Sequence, residues 1–353
     1  MKTVLCALFI SFNSVIGFSQ AFVGGHISNP TGSVVAILLP IEVQLEKGLS
    51  RSAVKPFPIE ADGSVQLSVP LIKPSIVFIS FLGEGNRRSF HMNMILQPGD
   101  SVFFDLDFKQ IVKDGKFLCQ FRGPNAEGHQ QWYDYAYYPL VHQLDQVKMI
   151  VQAAFASDMF LMLKQEIERQ MQPFDQLYQA GKIDAGFYGV VENRIKSTLL
   201  THAGRTIFDR GSRQEVVINL SDAEQHHVMD QIFAYYSPEG FKMPLTGPQI
   251  AYTEMFYAYR YAREHQLDPI DTPISFNGKS YTVKRDFVPL LAIDDASMKE
   301  YLIANAISRI YQIYETSTDF AKEELDLFNA MFPGSKYMAA VQINKDIRES
   351  RTK

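Results

Sequence analysis

The chain has 353 residues, a formal net charge of −5 and two cysteines, and 46% of its residues are hydrophobic. This length is sufficient for two domains with buried cores. A mildly acidic chain lacks the basic surface with which proteins bind nucleic acid, and it has no basic cluster for an anionic membrane. We therefore expect no nucleic-acid partner, and two cysteines exclude a disulfide-rich scaffold.

Residues 1–19 have the pattern of a cleavable secretory signal peptide. Lys2 precedes a short apolar run, and the small residues Gly17 and Ser19 follow it. The apolar run is too short for a membrane anchor, which needs about 20 apolar residues. We predict cleavage after Ser19, export from the cytoplasm and no integral membrane segment in the mature chain.

Residues 20–122 contain short runs rich in Val, Ile and Phe, with turn residues between them. Val65, Leu67 and Val69 alternate with polar neighbours, as in a strand that buries one face. Closely spaced short strands of this kind are typical of an antiparallel β-sandwich. The predicted strands are residues 33–39, 64–69, 75–81, 91–96, 101–106 and 116–121.

Cys119 is the only cysteine that remains after signal cleavage. In its predicted strand it shares one face with Phe117 and Phe121. No cationic residue lies beside it on that face to lower the pKa of the thiol. We therefore expect a buried, unreactive core cysteine.

From residue 123 onward the hydrophobic period becomes helical. Leu302, Ala306 and Ile310, for example, recur at intervals of four. The pattern predicts six or seven helices in an all-α domain over residues 123–353, and Pro139 and Pro173 are expected to end or kink helices. The predicted fold class is therefore α+β as two domains, an N-terminal antiparallel β-sandwich followed by this helical domain.

Local signals mark helix starts and one turn in the second half. Ser221 with Glu224, and Ser297 with Glu300, have the spacing of capping boxes. Asn277-Gly278 between two short β-prone runs predicts a type I′ hairpin over residues 274–283.

The sequence contains no familiar catalytic motif. A nucleophile elbow, a phosphate-binding loop and the His-Glu-x-x-His zinc motif are all missing from it. The adjacent His226 and His227 point to different sides of a helix and do not share a metal, and Glu166 and Glu168 do not face each other. We expect a protein that is not an enzyme, with no catalytic, cofactor-binding or metal-binding residues.

Aromatic residues crowd two predicted helices, near residues 132–138 and 252–261. Core packing explains most such rings, but tyrosine also suits a contact surface for a ligand or peptide. In the second helix, positions 252, 256 and 259 share one face, which we predict to be core. The remaining rings and neighbouring arginines predict a concave partner groove lined by Tyr133, Tyr137, Tyr257, Tyr261, Arg260 and Arg263.

Four short motifs follow one another along the chain: Asp62-Gly63, Leu96-Gln97-Pro98-Gly99-Asp100-Ser101, Phe121-Arg122-Gly123-Pro124-Asn125-Ala126 and Phe332-Pro333-Gly334-Ser335-Lys336-Tyr337. Behind a signal peptide, this order resembles the N-terminal accessory region of the thioredoxin-fold thiol–disulfide oxidoreductases of Gram-negative envelopes. In that family a Pro-Gly-Asp turn and a Gly-x-Asn-Ala junction precede helices. A Pro-x-Ser-x-Tyr helix then leads into the thioredoxin domain.

The resemblance implies a location in the periplasm or outer envelope, but it transfers no catalytic residue. The sequence stops at Lys353, where the family's thioredoxin domain begins, and it has no Cys-x-x-Cys pair. We expect a non-catalytic exported binding or interaction module with a protein or peptide partner. The alternative is an accessory subunit of a thiol–disulfide exchange system that acts with a separate thioredoxin-fold partner. A hydrolase is the third and least favoured class.

Overall fold

The computed structural model describes residues 19–30, 32, 34–46, 48, 55–82, 88–111, 116–137, 140–153, 155–208, 220–265, 272–284, 287–313 and 318–351. The signal peptide predicted over residues 1–19 lies outside this part, except for Ser19. Within it the protein has a mixed α+β fold.

The strands are β1 (Ser19–Ser28), β2 (Val34–Leu38), β3 (Lys55–Pro58), β4 (Ser64–Leu71), β5 (Ser75–Leu82), β6 (Arg88–Leu96), β7 (Ser101–Ile111), β8 (Phe117–Arg122), β9 (Thr272–Phe276) and β10 (Lys279–Val283). The helices are α1 (Ile41–Glu46), α2 (Ala126–Tyr137), α3 (Leu140–Ala153), α4 (Ala156–Gln179), α5 (Ala185–Phe208), α6 (Asp222–Tyr235), α7 (Gly247–Glu264), α8 (Val288–Leu291), α9 (Ala296–Ile313), α10 (Thr318–Met331) and α11 (Met338–Arg351).

The first eight strands form two four-stranded sheets, with the orders β4-β1-β7-β8 and β3-β2-β5-β6. Their buried side chains belong to one hydrophobic cluster. The ring centroids of Phe81 in β5 and Phe104 in β7 lie 6.2 Å apart, and Cys119 Sγ in β8 lies 3.9 Å from Met92 Sδ in β6. Side chains of the two sheets therefore contact each other, and Cys119 is buried between them as expected.

The prediction of a purely antiparallel β-region is wrong at one strand pair. β1 pairs with β4 antiparallel, but it pairs with β7 in parallel, with Phe22 opposite Ser101 and His26 opposite Asp105. The chain between β1 and β7 runs through the other sheet before it returns, and such a crossover permits parallel pairing. Alternation of side chains is the same in both pairings, so the sequence pattern did not distinguish them.

The helical part contains ten helices in its described residues, more than the six or seven predicted. The expectation of a helix end at Pro173 is wrong, because α4 continues through it. Met171 and Phe174 are buried on the inner face of α4. Burial of this face outweighs the loss of one backbone hydrogen bond at proline. Pro139 lies outside the described residues.

One of the two predicted capping boxes is present. Ser221 N donates to Glu224 Oε2 over 2.8 Å, and Glu224 N donates to Ser221 Oγ over 3.4 Å. The box predicted at Ser297 is wrong, since Met298 N donates to Asp295 Oδ1 over 2.8 Å. The carboxylate of Asp295 caps α9 two residues earlier, and its charge also favours the helix N-terminus.

β9 and β10 form an antiparallel hairpin at the place that Asn277-Gly278 predicts. Both turn residues have positive φ, 50° for Asn277 and 75° for Gly278, which is the conformation of a type I′ turn. Tyr281 and Val283 of β10 are buried in the same hydrophobic cluster as residues of α9 and α10, and β10 contacts α10 directly.

Each of the three hydrophobic clusters contains side chains from both sides of residue 122. Tyr133 of α2 belongs to the cluster of the sheets, whereas Ile95 of β6 belongs to the cluster formed mainly by α3–α7. Leu45 of α1 belongs to the cluster of the C-terminal helices. The sheets and the helices therefore share side chains at their boundary. Among the helices that the structure describes, none combines the length and apolar character needed to cross a bilayer.

Candidate functional site

The candidate site lies on helix α7. Thr246 precedes the helix, and its backbone N–H donates to Gln249 Oε1 over 3.1 Å in a capping box. Tyr252, Phe256 and Tyr259 are buried on one face, as the helical spacing predicts. The flank next to this face carries Tyr257, Arg260, Tyr261 and Glu264, which are partly or fully exposed to solvent.

Two adjoining depressions run along that flank, with volumes of about 560 and about 250 Å³. They share Glu239, Arg260 and Glu264 as lining residues, and we call them together the α7 groove. The larger depression also has Asp230, Phe233, Phe256, Tyr259 and Arg263. The smaller one also has Tyr257, Tyr261, Ala292, Asp294, Asp295 and Met298.

Four of the six residues predicted to line a partner surface lie in this groove. Tyr257, Tyr261 and Arg260 line the smaller depression, and Arg260 also lines the larger one with Arg263. Both tyrosines are partly exposed.

The other two predicted residues do not contribute to the groove. Tyr133 is only 4% exposed and lies in the cluster of the sheets, where its hydroxyl donates to Phe117 O over 3.0 Å. It is buried because α2 contacts β6 and β8 as well as α4. The side chain of Tyr137 lies outside the described part of the structure.

The two arginines of the groove are already paired. Arg263 Nη1 donates to Asp230 Oδ1 and Oδ2 over 2.8 and 2.9 Å, and Arg260 Nη1 donates to Glu239 Oε1 over 3.1 Å. The Arg260 guanidinium also lies 5.5 Å from the ring centroid of Phe256. Each guanidinium thus has a carboxylate partner, and one has an aromatic ring as well.

Carboxylates outnumber cations in the groove. Its lining has five acidic and two basic side chains, so its formal charge is 2 − 5 = −3. Glu264 and Asp294 make no ion pair within the described part of the chain. Burial raises the pKa of Tyr257, and the nearby Glu239, Asp294 and Asp295 raise it further against the opposing effect of Arg260. The smaller depression therefore has a negative local potential.

Two of the short motifs meet at a single carboxylate, that of Asp184 before α5. Gln97 Nε2 and Asn125 Nδ2 both donate to Asp184 Oδ2, over 2.7 and 2.9 Å, and Asp184 N donates to Asn125 Oδ1 over 2.9 Å. Burial alone would raise the pKa of Asp184, but hydrogen bonds from Phe187 N, Asn125 and Gln97 outweigh burial and lower it. This contact joins the β6–β7 turn and the β8–α2 junction to α5.

The last motif makes a similar contact at the other end of the chain. Lys336 Nζ donates to both carboxylate oxygens of Glu46 over 2.9 and 3.0 Å, and Tyr337 Oη donates to Glu46 Oε1 over 3.1 Å. These bonds hold α1 against the segment before α11. The motif residues at Asp184 and Glu46 therefore have structural roles in joining segments of the fold.

The remaining chemically notable groups are buried. Cys119 is 3% exposed, and burial, with a smaller effect of Asp105, raises the pKa of its thiol. Burial lowers the pKa of His129 to about 4, and neither of its ring nitrogens has a hydrogen-bond partner among the described residues. Over the residues that the structure describes, no group of His, Cys, Asp and Glu side chains is arranged to hold a metal ion.

Sequence reasoning missed the acidic side of the groove. Glu239 comes from a 3₁₀ turn that shortly precedes α7, whereas Asp294 and Met298 come from the start of α9, which is distant in sequence from α7. Nothing in their local patterns indicates a shared surface.

Comparison with known proteins adds no relative to this picture. The chain matches no protein-family model, and no curated protein matches it significantly. The α7 groove is therefore the feature on which a functional assignment rests.

Proposed function

We propose that this chain is a non-catalytic, exported binding module of the bacterial envelope, and that the α7 groove holds an extended segment of a partner polypeptide. The observation that carries the proposal is the open surface on which Tyr257, Tyr261 and Arg260 lie together. Tyrosine supplies a large contact area with little loss of conformational freedom, and arginine anchors such surfaces by directed hydrogen bonds.

The lining of the groove supports a peptide ligand. The larger depression, of about 560 Å³, is open to solvent. Its rim is charged and its floor includes Phe233 and Phe256. Apolar contact at the centre and polar contact at the rim is the usual anatomy of a protein interface.

The proposal includes a two-domain architecture, a β-sandwich over residues 20–122 and a helical domain over residues 123–353. The shared hydrophobic cluster of the two sheets supports the sandwich. Export through a signal peptide is supported by the pattern of residues 1–19 and by strand β1. Cleavage after Ser19 would keep Gln20 and the residues after it, which pair with β4 and β7.

A binding experiment with two matched tyrosine variants tests the peptide-binding function. We would titrate the purified protein with a library of unstructured 12-residue peptides and compare Tyr261→Ala with Tyr178→Ala. Tyr178 is an exposed tyrosine of α4 outside the groove. We expect Tyr261→Ala to weaken the selected peptides about tenfold and Tyr178→Ala to leave them unchanged. Equal effects of both variants, or no binding by the unchanged protein, would refute the function.

The resemblance favours a second candidate, an accessory subunit that acts with a separate thioredoxin-fold partner. The contacts of Gln97 and Asn125 with Asp184 support it, because the motif residues hold the sheets and helices in one arrangement. The test is insulin reduction by a purified envelope thioredoxin-fold protein with and without this chain. The candidate requires a rate above that of the oxidoreductase alone.

A further inference from the structure

In the smaller depression of the α7 groove, Glu264 and Asp294 have no ion-pair partner among the residues that the structure describes. We propose that this depression receives the side chain of a lysine or arginine from the bound polypeptide, so that the module selects basic segments. This inference rests on the proposed peptide-binding function and names its ligand class.

The lining of the smaller depression has the two parts that a basic side chain needs. Tyr257, Tyr261 and Met298 offer apolar and aromatic surface along which a methylene stem packs. Glu264 and Asp294 stand at the same depression and attract the charged group. Aromatic rings next to carboxylates also favour a cation through the negative face of the ring.

The protein already shows this mode of binding at Arg260 and Glu239, which line both depressions. There the Arg260 guanidinium lies over the ring of Phe256 and donates to Glu239. In the smaller depression the rings of Tyr257 and Tyr261 are present, but Glu264 lacks such a cation among the described residues. A lysine or arginine from outside completes the same combination of ring, carboxylate and cation.

An acidic partner fits the groove poorly. To bind a carboxylate, Arg260 would have to leave Glu239, or Arg263 would have to leave Asp230. The formal charge of −3 would also repel the acidic segment along its whole approach. The observations therefore favour a basic ligand over an acidic or neutral one.

The experiment uses three labelled, unstructured nine-residue peptides with identical Gly/Ser flanks and a central pair Lys-Lys, Gln-Gln or Glu-Glu. Fluorescence anisotropy gives their dissociation constants for the full chain. We expect Lys-Lys to bind about fivefold more tightly than Gln-Gln and Glu-Glu to bind most weakly, because exposed ion pairs are individually modest. Addition of 0.5 M NaCl should remove most of the preference by screening.

A pair of double variants locates the effect. Asp294→Asn with Glu264→Gln should lower the affinity for Lys-Lys to that for Gln-Gln and so abolish the preference. The control, Asp158→Asn with Glu168→Gln, makes the same change in net charge on the exposed face of α4. It should preserve the preference.

The results test the choice of a basic ligand separately from the peptide-binding function. Equal binding of the Lys-Lys and Gln-Gln peptides would overturn the choice of a basic ligand and leave peptide binding standing. Loss of the preference in the α4 control would overturn the assignment to the smaller depression. Failure of all three peptides to bind would overturn peptide binding and, with it, the inference.

Discussion

Helices α2 and α7 are both rich in aromatic residues, but the rings differ in their exposure to solvent. On α2, Trp132 and Tyr133 are 2% and 4% exposed, because the sheets cover one side of the helix and α4 covers another. On α7, Tyr252 is fully buried, whereas Tyr257 and Tyr261 border an open groove. The comparison teaches that the exposure of a ring depends on how many elements surround its helix, and not on how many rings the helix carries.

If this comparison is correct, substitutions on the two helices separate stability from binding. The rings of α2 should contribute mainly to the free energy of unfolding. The flanking rings of α7 should contribute mainly to the affinity for a ligand.

Trp132→Ala should destabilise the protein by about 3–5 kcal/mol, the usual cost of removing a large buried aromatic side chain. Trp132 stacks on Tyr135 with ring centroids 5.3 Å apart and lies 6.2 Å from the ring of Phe174. Urea denaturation followed by circular dichroism measures the change in the free energy of unfolding. Tryptophan fluorescence is not suitable, because Trp132 is the only tryptophan and the variant lacks it. Tyr261→Ala is the matched variant on α7 and should cost less than about 1 kcal/mol. Equal costs would contradict the comparison.

His129 on α2 should make the protein sensitive to mild acid. Burial lowers the pKa of the folded imidazole from 6.5 to about 4, so the unfolded chain takes up the proton first. The resulting contribution to stability is complete above the unfolded pKa and is lost as the pH falls toward the folded pKa. Between pH 7 and pH 5 the loss should be about 2 kcal/mol.

The variant His129→Phe isolates this contribution. The imidazole packs against Phe121 and Phe187, so a phenyl ring suits the apolar surroundings. Urea titrations of both proteins at pH 7 and pH 5 should show a smaller loss in the variant. The same loss in both proteins would show that His129 does not remain neutral in the fold.

Tyr252→Phe should destabilise the protein by about 1 kcal/mol, because it removes the hydrogen bonding of one hydroxyl and keeps the ring. The hydroxyl donates mainly to Tyr236 O over 2.7 Å and also lies 3.4 Å from Ile232 O. On the groove side of the same helix, the one hydrogen-bond contact of the Tyr257 hydroxyl within the described part of the chain is a weak one of 3.9 Å to Met298 Sδ. Thermal unfolding should therefore distinguish Tyr252→Phe from a nearly neutral Tyr257→Phe. A larger loss for Tyr257→Phe would reverse the roles of the two faces.

Arg263→Met should change the stability by less than about 1 kcal/mol, although the pair with Asp230 has two short contacts. About half of each side chain in this pair is exposed, and solvent screens such pairs strongly. Thermal unfolding at low and high salt checks the prediction. If Arg263→Met lowered the free energy of unfolding by more than about 2 kcal/mol at both salt concentrations, the groove would be part of the core.

The sequence predicted the inner face of α7 because spacing alone assigns Tyr252, Phe256 and Tyr259 to one side of a helix. It did not predict that Tyr133 is buried, since the elements that cover α2 come from distant parts of the chain. The acidic lining of the groove was missed for the same reason. Local periodicity shows which residues share a face, but contacts over long sequence distances determine what covers that face.

Strand β1 was missed for a different reason. Gly24 and Gly25 are typical of turns, yet both lie within the strand. A Cβ atom at Gly24 would lie 2.6 Å from the ring of Phe103, and one at Gly25 would overlap the ring of Phe104. The glycines therefore make room for aromatic residues on the neighbouring strand β7. That requirement becomes apparent only when the parallel pairing of β1 with β7 is known.

The central position of β1 in its sheet also affects the order in which the fold can be completed. β1 is synthesised before both of its neighbours, which begin only at Ser64 and Ser101. Until β7 has been made, one row of β1 backbone N–H and C=O groups has no partner strand, and such an open edge invites pairing with another chain. Translation products that end between β6 and β7 should accordingly be prone to aggregation, whereas products that extend beyond Arg122 can close the sheet.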